Sequence, residues 1–284
     1  CLIMPLQDEY IQKLSSLFVQ SENPLVIFSK LTKEGIASSA IIFKTLQRLN
    51  KNFSINFFEK IDELKLKELK VNRTNPLIIL DPSSQDLKNL QLIKDKEFLV
   101  LNKTELTASH KAFELAKQID ESNKDLIYLT FLSLENLETE GLIEEAEKLG
   151  IVTKITSLKI LGSNTRPIQK TIELSISPFI IGFSGSEENC LNLLKDLSIN
   201  LKKGDAFTSL QDLDNLQTQK LLESISLNSY AEDDLFETRL ILNSENVNSP
   251  LKDIHEFSLF LETAIIYKKP SIALAKCILN KAYK

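Results

Sequence analysis

Apolar residues in the first 135 positions form short continuous runs, and these runs alternate with segments in which apolar residues recur at helical spacing. A short apolar run bounded by proline or polar residues is typical of a buried strand. The runs predict strands at 25–28, 53–58, 77–80 and 98–101. The segments between them predict helices at about 6–22, 36–49 and 105–119.

Strands that alternate with helices in this way predict an α/β fold, in which a parallel sheet carries helices on both faces. In such a sheet ligands bind beyond the carboxyl ends of the strands. In this chain those ends are residues 30–35, 81–84 and 102–104. Any chemistry of this part of the chain is therefore expected there.

The remainder of the chain has a weaker pattern and predicts a mainly helical region. Helices are predicted within 123–149, from a capping-box spacing at Ser184–Glu187 to about 197, and over 212–226, 251–267 and 271–283. Residues 151–185 have a mixed pattern of apolar and polar positions, and the polar stretch 243–250 is the predicted linker. We therefore expect three regions, at 1–135, 136–245 and 246–284.

Composition narrows the range of functions. The chain has 34 basic and 39 acidic residues and a formal charge of −5, which disfavours autonomous binding to duplex DNA. It contains no apolar stretch long enough to predict a membrane span, and its first residues do not resemble a signal peptide. Its three cysteines form no metal-binding pattern, which favours inert thiols in a reducing cytoplasm.

Common catalytic motifs are absent from the sequence. There is no Walker A motif and no dinucleotide-binding glycine motif. The second glycine of Gly182-Phe183-Ser184-Gly185 is one position too early for a nucleophile elbow. His110 and His255 fall on predicted helices rather than at strand ends, and the lysine-rich run 63–70 is predicted to be a solvated helix face.

The strand ends, taken together, resemble the motifs of the DHH phosphoesterases. Residues 30–40 resemble the first motif, which reads His-x-Asp-Ala-Asp-Gly-Ile-Ala-Ser-Ala in RecJ-type exonucleases. Asp81 and its small polar turn resemble the second motif. Asn102-Lys103-Thr104 stands where the Asp-His-His triplet is expected.

The resemblance continues downstream and covers nearly the whole chain in the right order. Residues 157–170 are similar to a segment of archaeal RecJ-like proteins that ends in Thr-Arg-Pro-Leu-His-Lys, and 177–185 continue the match. Residues 249–257 resemble the start of that family's DHHA1 domain. The glycine-rich substrate-binding segment of that domain is not found after Tyr267, so the DHHA1-like part is expected to be truncated.

The departures from the family motifs decide the functional prediction. The family reaction requires two divalent cations held by aspartates and histidines. Asp81 remains, and a loose alignment places Glu135 at the later acidic ligand. The other positions are replaced, by Lys30, Thr32, Glu34, Asn102, Lys103 and Thr104. We therefore expect no metal or other cofactor, and we expect Lys30 or Lys103 to lie near Asp81.

The resemblance then implies a catalytically inactive RecJ-like scaffold, parallel to the non-catalytic subunit of the CMG replicative helicase. Such a protein would be cytoplasmic and nucleoid-associated, and would bind GINS and, through it, the MCM helicase ring. It would make at most a weak contact with single-stranded DNA and none with a membrane. These partners follow from the resemblance and not from composition.

Two alternatives remain open at this stage. One is a weak phosphoesterase or exonuclease on single-stranded nucleic acid or small nucleotides, which would use Asp81, Glu34 and Glu135 with Mn²⁺ or Mg²⁺. The other is an inactive partner of an active RecJ-type exonuclease. Metal-dependent release of nucleotides separates the first alternative from the scaffold, and the identity of the bound protein separates the second.

Overall fold

The computed structural model describes residues 8–71, 77–93, 98–102, 106–133, 140–229, 236–246 and 249–279, with side chains from residue 11 onward. The strands are β1 Leu25–Lys30, β2 Phe53–Phe58, β3 Leu77–Leu80, β4 Phe98–Leu101, β5 Val152–Leu158, β6 Lys202–Lys203, β7 Ala206–Phe207 and β8 Phe236–Leu242. The helices are α1 Asp8–Gln20, α2 Lys33–Arg48, α3 Glu63–Val71, α4 Ser84–Leu90, α5 Ala108–Ile119, α6 Tyr128–Phe131, α7 Glu140–Lys148, α8 Ile168–Glu173, α9 Glu187–Asp196, α10 Asn215–Leu227, α11 Ile254–Ile266 and α12 Pro270–Leu279.

The chain divides into two compact units. The first contains Cys1–Ile151 and Ser258–Lys284, and the second contains Val152–Phe257. The regions predicted from the sequence, with boundaries at 135 and 245, remain a prediction.

The core of the first unit is a parallel sheet in the order β2-β1-β3-β4. One face carries Phe28, Ile79 and Val100, which pack with Leu69 of α3 and Leu90 of α4. Side chains alternate along a strand, so Ile27, Ile78 and Leu99 point to the opposite face, and they too are buried. The structure confirms the predicted α/β fold with a parallel sheet flanked by helices.

The second unit contains an antiparallel strand pair that the sequence pattern did not predict. Strands β5 and β8 pair from Val152↔Leu242 to Leu158↔Phe236. Helices α8, α9 and α10 contribute to an apolar cluster that includes Ile172, Leu194 and Leu221. The prediction of a mainly helical region was therefore incomplete, because much of β5 is exposed and it lacks the continuous apolar run of a buried strand.

The start of α9 corrects a second prediction. The residue that caps this helix is Ser186, whose hydroxyl accepts a hydrogen bond from the N–H of Asn189 at 3.3 Å. Ser184 Oγ instead accepts from the N–H of Ile180 at 2.9 Å. The predicted Ser184–Glu187 capping box was therefore wrong by two residues, because Ser184 stabilises the preceding turn.

Candidate functional site

The carboxyl ends of β1, β3 and β4 surround a cavity of about 340 Å³. This is the edge of the sheet at which the sequence predicted the chemistry of the chain. The cavity brings together four of the predicted site residues, Lys30, Thr32, Asp81 and Asn102. Its remaining lining residues are Pro82, Ser83, Ser84 and Leu87.

Asp81 lies directly after β3 and is tied to the neighbouring strand ends. Its backbone adopts a left-handed conformation with φ of 53°, and its N–H donates to the carbonyl of Leu101 at 2.7 Å. Thr32 Oγ1 donates to Asp81 Oδ2 at 2.5 Å. The same Thr32 oxygen accepts from the N–H of Gly35 at 3.0 Å and caps α2. A hydroxyl therefore bridges Asp81 and α2 at the position where the resemblance implies a metal-binding aspartate.

Lys30 lines the same cavity as Asp81, but its ammonium group forms an ion pair with Asp86 at 2.9 Å. The Asp86 side chain is 3% exposed and also accepts bonds from the Ser83 N–H and hydroxyl and from the Ile61 N–H. Burial on its own would raise the pKa of this carboxyl, and the hydrogen bonds from Ser83, Lys30 and Ile61 hold the pKa below its ordinary value. Lys103, the other lysine predicted near Asp81, lies outside the described residues.

Sequence reasoning missed Asp86, although a local signal for it was present. Ser83 and Asp86 form a capping box at the start of α4, with each side chain bonded to the backbone N–H of the other residue. The Ser-x-x-Asp spacing predicts that cap. It does not predict the ion pair with Lys30, which lies 56 positions earlier in the chain.

Glu34 occupies the second acidic position of the first motif, and its carboxylate is bound by donors of the protein. It accepts from the N–H of Ser109 at 2.8 Å, from Ser133 Oγ at 2.7 Å and from Ser109 Oγ at 3.3 Å. Ser109 lies in the first turn of α5, where N–H groups lack partners within the helix. Glu34 therefore links the start of α2 to the start of α5.

A buried lysine that the sequence did not single out lies behind the third motif. Lys111 on α5 is 1% exposed, and its ammonium group donates to the carbonyl of Asn102 at 2.6 Å. Asn102 stands where the first residue of the Asp-His-His triplet is expected. A fixed positive charge of the protein is thus bonded to the backbone at this strand end.

Gly35 matches the glycine of the motif that residues 30–40 resemble, and packing requires a glycine there. A Cβ atom at this position would lie 2.0 Å from the carbonyl oxygen of Lys30. The backbone at the start of α2 therefore approaches the end of β1 more closely than any other residue allows.

The described residues do not fit the pair of divalent cations that the family reaction requires. Among the described residues that line the cavity, Asp81 is the only carboxylate, and a lysine lies in the same wall. Across the described ranges, no three His, Cys, Asp or Glu side chains come together as a metal site. Hard cations bind clusters of oxygen ligands and are repelled by an ammonium group. Lys103, Thr104 and Glu135 lie outside the described residues.

In the second unit, a buried polar network joins two of the segments that carry the family resemblance. Glu256 accepts from the Gly162 N–H and from Thr165 Oγ1, both at 2.9 Å. Asn164 Nδ2 donates to Asp253 at 3.1 Å, and Arg239 Nη1 lies 3.4 Å from the same carboxylate. The segment around Thr165-Arg166-Pro167 and the segment 249–257 are therefore held together inside this unit.

Burial raises the pKa of Glu256, and the neighbouring Asp253 raises it further, although the hydrogen bond from Thr165 opposes the shift. This carboxyl therefore binds a proton more readily than an exposed glutamate does.

The histidines and two of the cysteines lie where the sequence analysis expected them. His110 and His255 lie on α5 and α11. Cys190 and Cys277 are buried, and desolvation raises the pKa of their thiols to about 11 and about 12. These two thiols are therefore inert at neutral pH.

Comparison with known proteins identifies the fold. Residues 160–232 match the family model described as the DHH-CID domain. The structure is similar to CDC45 from Entamoeba histolytica, with a TM-score of 0.59 and 10% identity, over 97% of this chain and 72% of that one. It also matches exonuclease RecJ bound to manganese, with a TM-score of 0.41 and 12% identity, over 80% of this chain and 66% of that one.

A third match is RecJ from Thermus thermophilus in complex with Mn²⁺, with a TM-score of 0.38 and 13% identity, over 80% of this chain and 38% of that one. None of the curated protein sequences matches the chain. Residues 160–232 therefore match a DHH-CID domain, and the chain has a fold similar to that of CDC45, in agreement with the predicted resemblance to RecJ-like proteins. No helix in the described ranges is long and apolar enough to span a membrane.

Proposed function

We propose that this protein is a catalytically inactive, CDC45-like scaffold of the replication fork, which binds GINS and, through it, the MCM helicase ring. The observation that carries the proposal is the state of the acidic side chains near the strand ends. Asp81 is bound by Thr32, Asp86 by Lys30 and Glu34 by two serines. Donors of the protein thus take the place that metal ions hold in an active site.

The chemistry of phosphodiester hydrolysis supports an inactive role. Two cations activate the attacking water and neutralise the charge on the phosphate, and together they lower the barrier by several kcal/mol. The described residues at the cavity offer a lysine, a threonine and an asparagine in place of ligands. The lysine could attract a phosphate, but it cannot generate hydroxide.

The choice of partner rests on the fold and the charge. The CDC45-like fold and the DHH-CID domain favour a replication scaffold over an unrelated binding protein. The net charge of −5 favours a protein partner over autonomous DNA binding, so a contact with single-stranded DNA would be weak. In this proposal the protein acts in the cytoplasm, associated with the nucleoid.

The test combines a nuclease assay with a binding assay. Labelled single-stranded DNA and RNA are incubated with Mn²⁺ and either the wild-type chain or Asp81→Ala, and purified GINS is then titrated against both proteins. We expect no cleavage by either protein and stoichiometric binding of GINS by both. Cleavage by the wild type that disappears in Asp81→Ala would establish the phosphoesterase alternative. A purified active RecJ-type exonuclease is titrated in the same way, and stoichiometric binding of it without binding of GINS would establish the inactive-partner alternative.

A further inference from the structure

Strand β2 forms one edge of the parallel sheet, and its hydrogen-bond pattern shows which backbone groups face outward. The N–H of Leu25 donates to the carbonyl of Asn52 at 2.9 Å, and the N–H of Leu31 donates to the carbonyl of Phe58 at 2.8 Å. In a parallel ladder alternate residues bond to the neighbouring strand, so even-numbered residues of β2 face β1. The N–H and C=O groups of Phe53, Ile55 and Phe57 therefore point away from the sheet.

This outward row has no partner among the described residues, and nothing in the sequence of β2 protects it. The strand reads Phe-Ser-Ile-Asn-Phe-Phe, without a charge, a proline or a glycine. Ser54 and Asn56 are exposed, and Phe53, Ile55 and Phe57 are half-buried. Edge strands that must stay unpaired usually carry a lysine, a proline or a bulge. The edge of β2 is therefore suited to accept another strand.

A second feature lies at the carboxyl end of the same strand. A cavity of about 590 Å³ is lined by Phe57 and Phe58 together with Leu31, Leu64 and Pro270. The other six lining residues are charged, three acidic and three basic, and two pairs of them are bonded, Lys65 with Glu68 at 2.6 Å and Lys268 with Glu59 at 2.7 Å. The apolar part of the wall can pack against an apolar side chain.

We infer that the β2 edge and this cavity form a docking site for an extended segment of a partner protein. The segment adds a strand beside β2 through the outward backbone groups, and an apolar side chain at its end packs on Leu31, Phe57 and Leu64. Backbone bonds supply affinity and the cavity supplies selectivity, as in other cases of strand addition. The inference rests on the proposed function in one respect, namely that the protein acts through protein contacts.

A second copy of this chain fits the site less well than a foreign segment does. Two antiparallel β2 strands paired about Ile55 would place the partner's Asn50-Lys51-Asn52 turn at each cavity. That turn is polar and offers no apolar side chain. The cavity would remain unfilled in such a dimer.

The test starts from a phage library of random twelve-residue peptides selected on the full chain. Selected peptides are synthesised, and their binding is measured by fluorescence anisotropy. We expect peptides with alternating apolar residues and a large apolar residue at one end. Ile55→Pro removes an outward N–H without removing a bond to β1, and should weaken binding by about tenfold or more. Ile55→Ala, which keeps that N–H, should weaken binding by less than about threefold.

Changes to the peptide test the backbone bonds without altering the protein: N-methylation of alternate peptide amides should abolish binding in one register and spare it in the other. A protein variant tests the cavity: Leu64→Lys should remove the preference for the terminal apolar residue. Equal binding to Ile55→Pro and wild type, or no selected peptide, would overturn the inference. So would a dimer that Ile55→Pro converts to a monomer. Cleavage of DNA by the chain would refute the proposed function and leave this binding test unaffected.

Discussion

The two units use carboxylates in opposite ways. At the strand ends of the first unit, Asp81 lines an open cavity, and the lysine that pairs with Asp86 in the same wall is 21% exposed. In the second unit, Asp253 is fully buried and Arg239 beside it is 4% exposed. The first arrangement is a cavity with the shape of a ligand site, and the acidic side chains around it accept bonds from donors of the protein. The second is a structural network, whose cost of burial is offset only while every partner is present.

The difference extends to ionisation. Hydrogen bonds from Ser83, Lys30 and Ile61 outweigh burial and lower the pKa of Asp86. Burial and the charge of Asp253 raise the pKa of Glu256. The pKa of Asp86 in the first unit is therefore shifted down and the pKa of Glu256 in the second unit is shifted up, and this contrast can be measured.

The largest expected effect is in the second unit. Asp253→Ala should lower the free energy of unfolding by about 2–4 kcal/mol, because it removes one of the two carboxylates that pair with the buried Arg239, the other being Glu237, and leaves Asn164 Nδ2 without its acceptor. Urea denaturation of the full chain measures the change. Lys30→Met is the matched variant in the first unit and should cost less than about 1 kcal/mol, because Asp86 keeps its other donors and the pair is partly exposed. Equal losses of unfolding free energy in Asp253→Ala and Lys30→Met would contradict this contrast between the two units.

Glu34 should have an intermediate effect on stability. Glu34→Ala should cost about 1–3 kcal/mol, because the Ser109 N–H and the hydroxyl groups of Ser109 and Ser133 lose their acceptor. Glu34→Gln keeps one acceptor oxygen and should cost less. Glu34→Asp introduces the residue of the motif that this segment resembles, but the aspartate side chain is shorter, so this change should also destabilise the fold. A more stable Glu34→Asp variant would argue against a structural role for Glu34.

The smallest expected effects appear as changes in pH dependence. The folded pKa of Asp86 is below its ordinary value of 3.8, so its contribution is present above pH 3.8 and is lost as the pH falls through the folded pKa. The folded pKa of Glu256 is above its ordinary value of 4.5, so its contribution is present below pH 4.5 and is lost as the pH rises through the folded pKa.

Lys30→Met should therefore flatten the stability curve on the acid side of pH 3.8, and Glu256→Gln should flatten it above pH 4.5. Urea denaturation at a series of pH values measures both curves. If Lys30→Met keeps the wild-type slope below pH 3.8, Asp86 does not carry the pH dependence there. If Glu256→Gln keeps the wild-type slope above pH 4.5, Glu256 does not carry it.

Local sequence patterns predicted the strands of the sheet better than they predicted the side-chain contacts around it. The predicted bounds of β2, β3 and β4 agree with the structure. Strands β3 and β4 are continuous apolar runs with proline or polar residues on either side, and β2 begins directly after the polar segment Asn50-Lys51-Asn52. The geometry of parallel sheets placed residues 30–35, 81–84 and 102–104 at one edge of the sheet. The resemblance to the DHH motifs singled out Lys30, Thr32, Asp81 and Asn102 within these ranges, and all four line the cavity.

The features that the sequence did not predict depend on residues far apart in the chain. The pairs Lys30–Asp86 and Glu34–Ser133 join different elements, and no spacing rule links them. Strand β8 pairs with β5 from a distant position, and the partly exposed β5 gives a weaker signal than a buried strand. Such features are decided by tertiary packing, which overrides local preference.

The most direct test of the central claim is a calorimetric titration of the full chain with Mn²⁺. The account predicts no stoichiometric binding tighter than about millimolar, because Lys30 and Thr32 stand among the positions that would have to bind the metal. Asp81→Ala should give the same titration curve as the wild type. A micromolar site in the wild type that disappears in Asp81→Ala would show that the cavity binds a metal ion, and would contradict the claim that protein donors have replaced it.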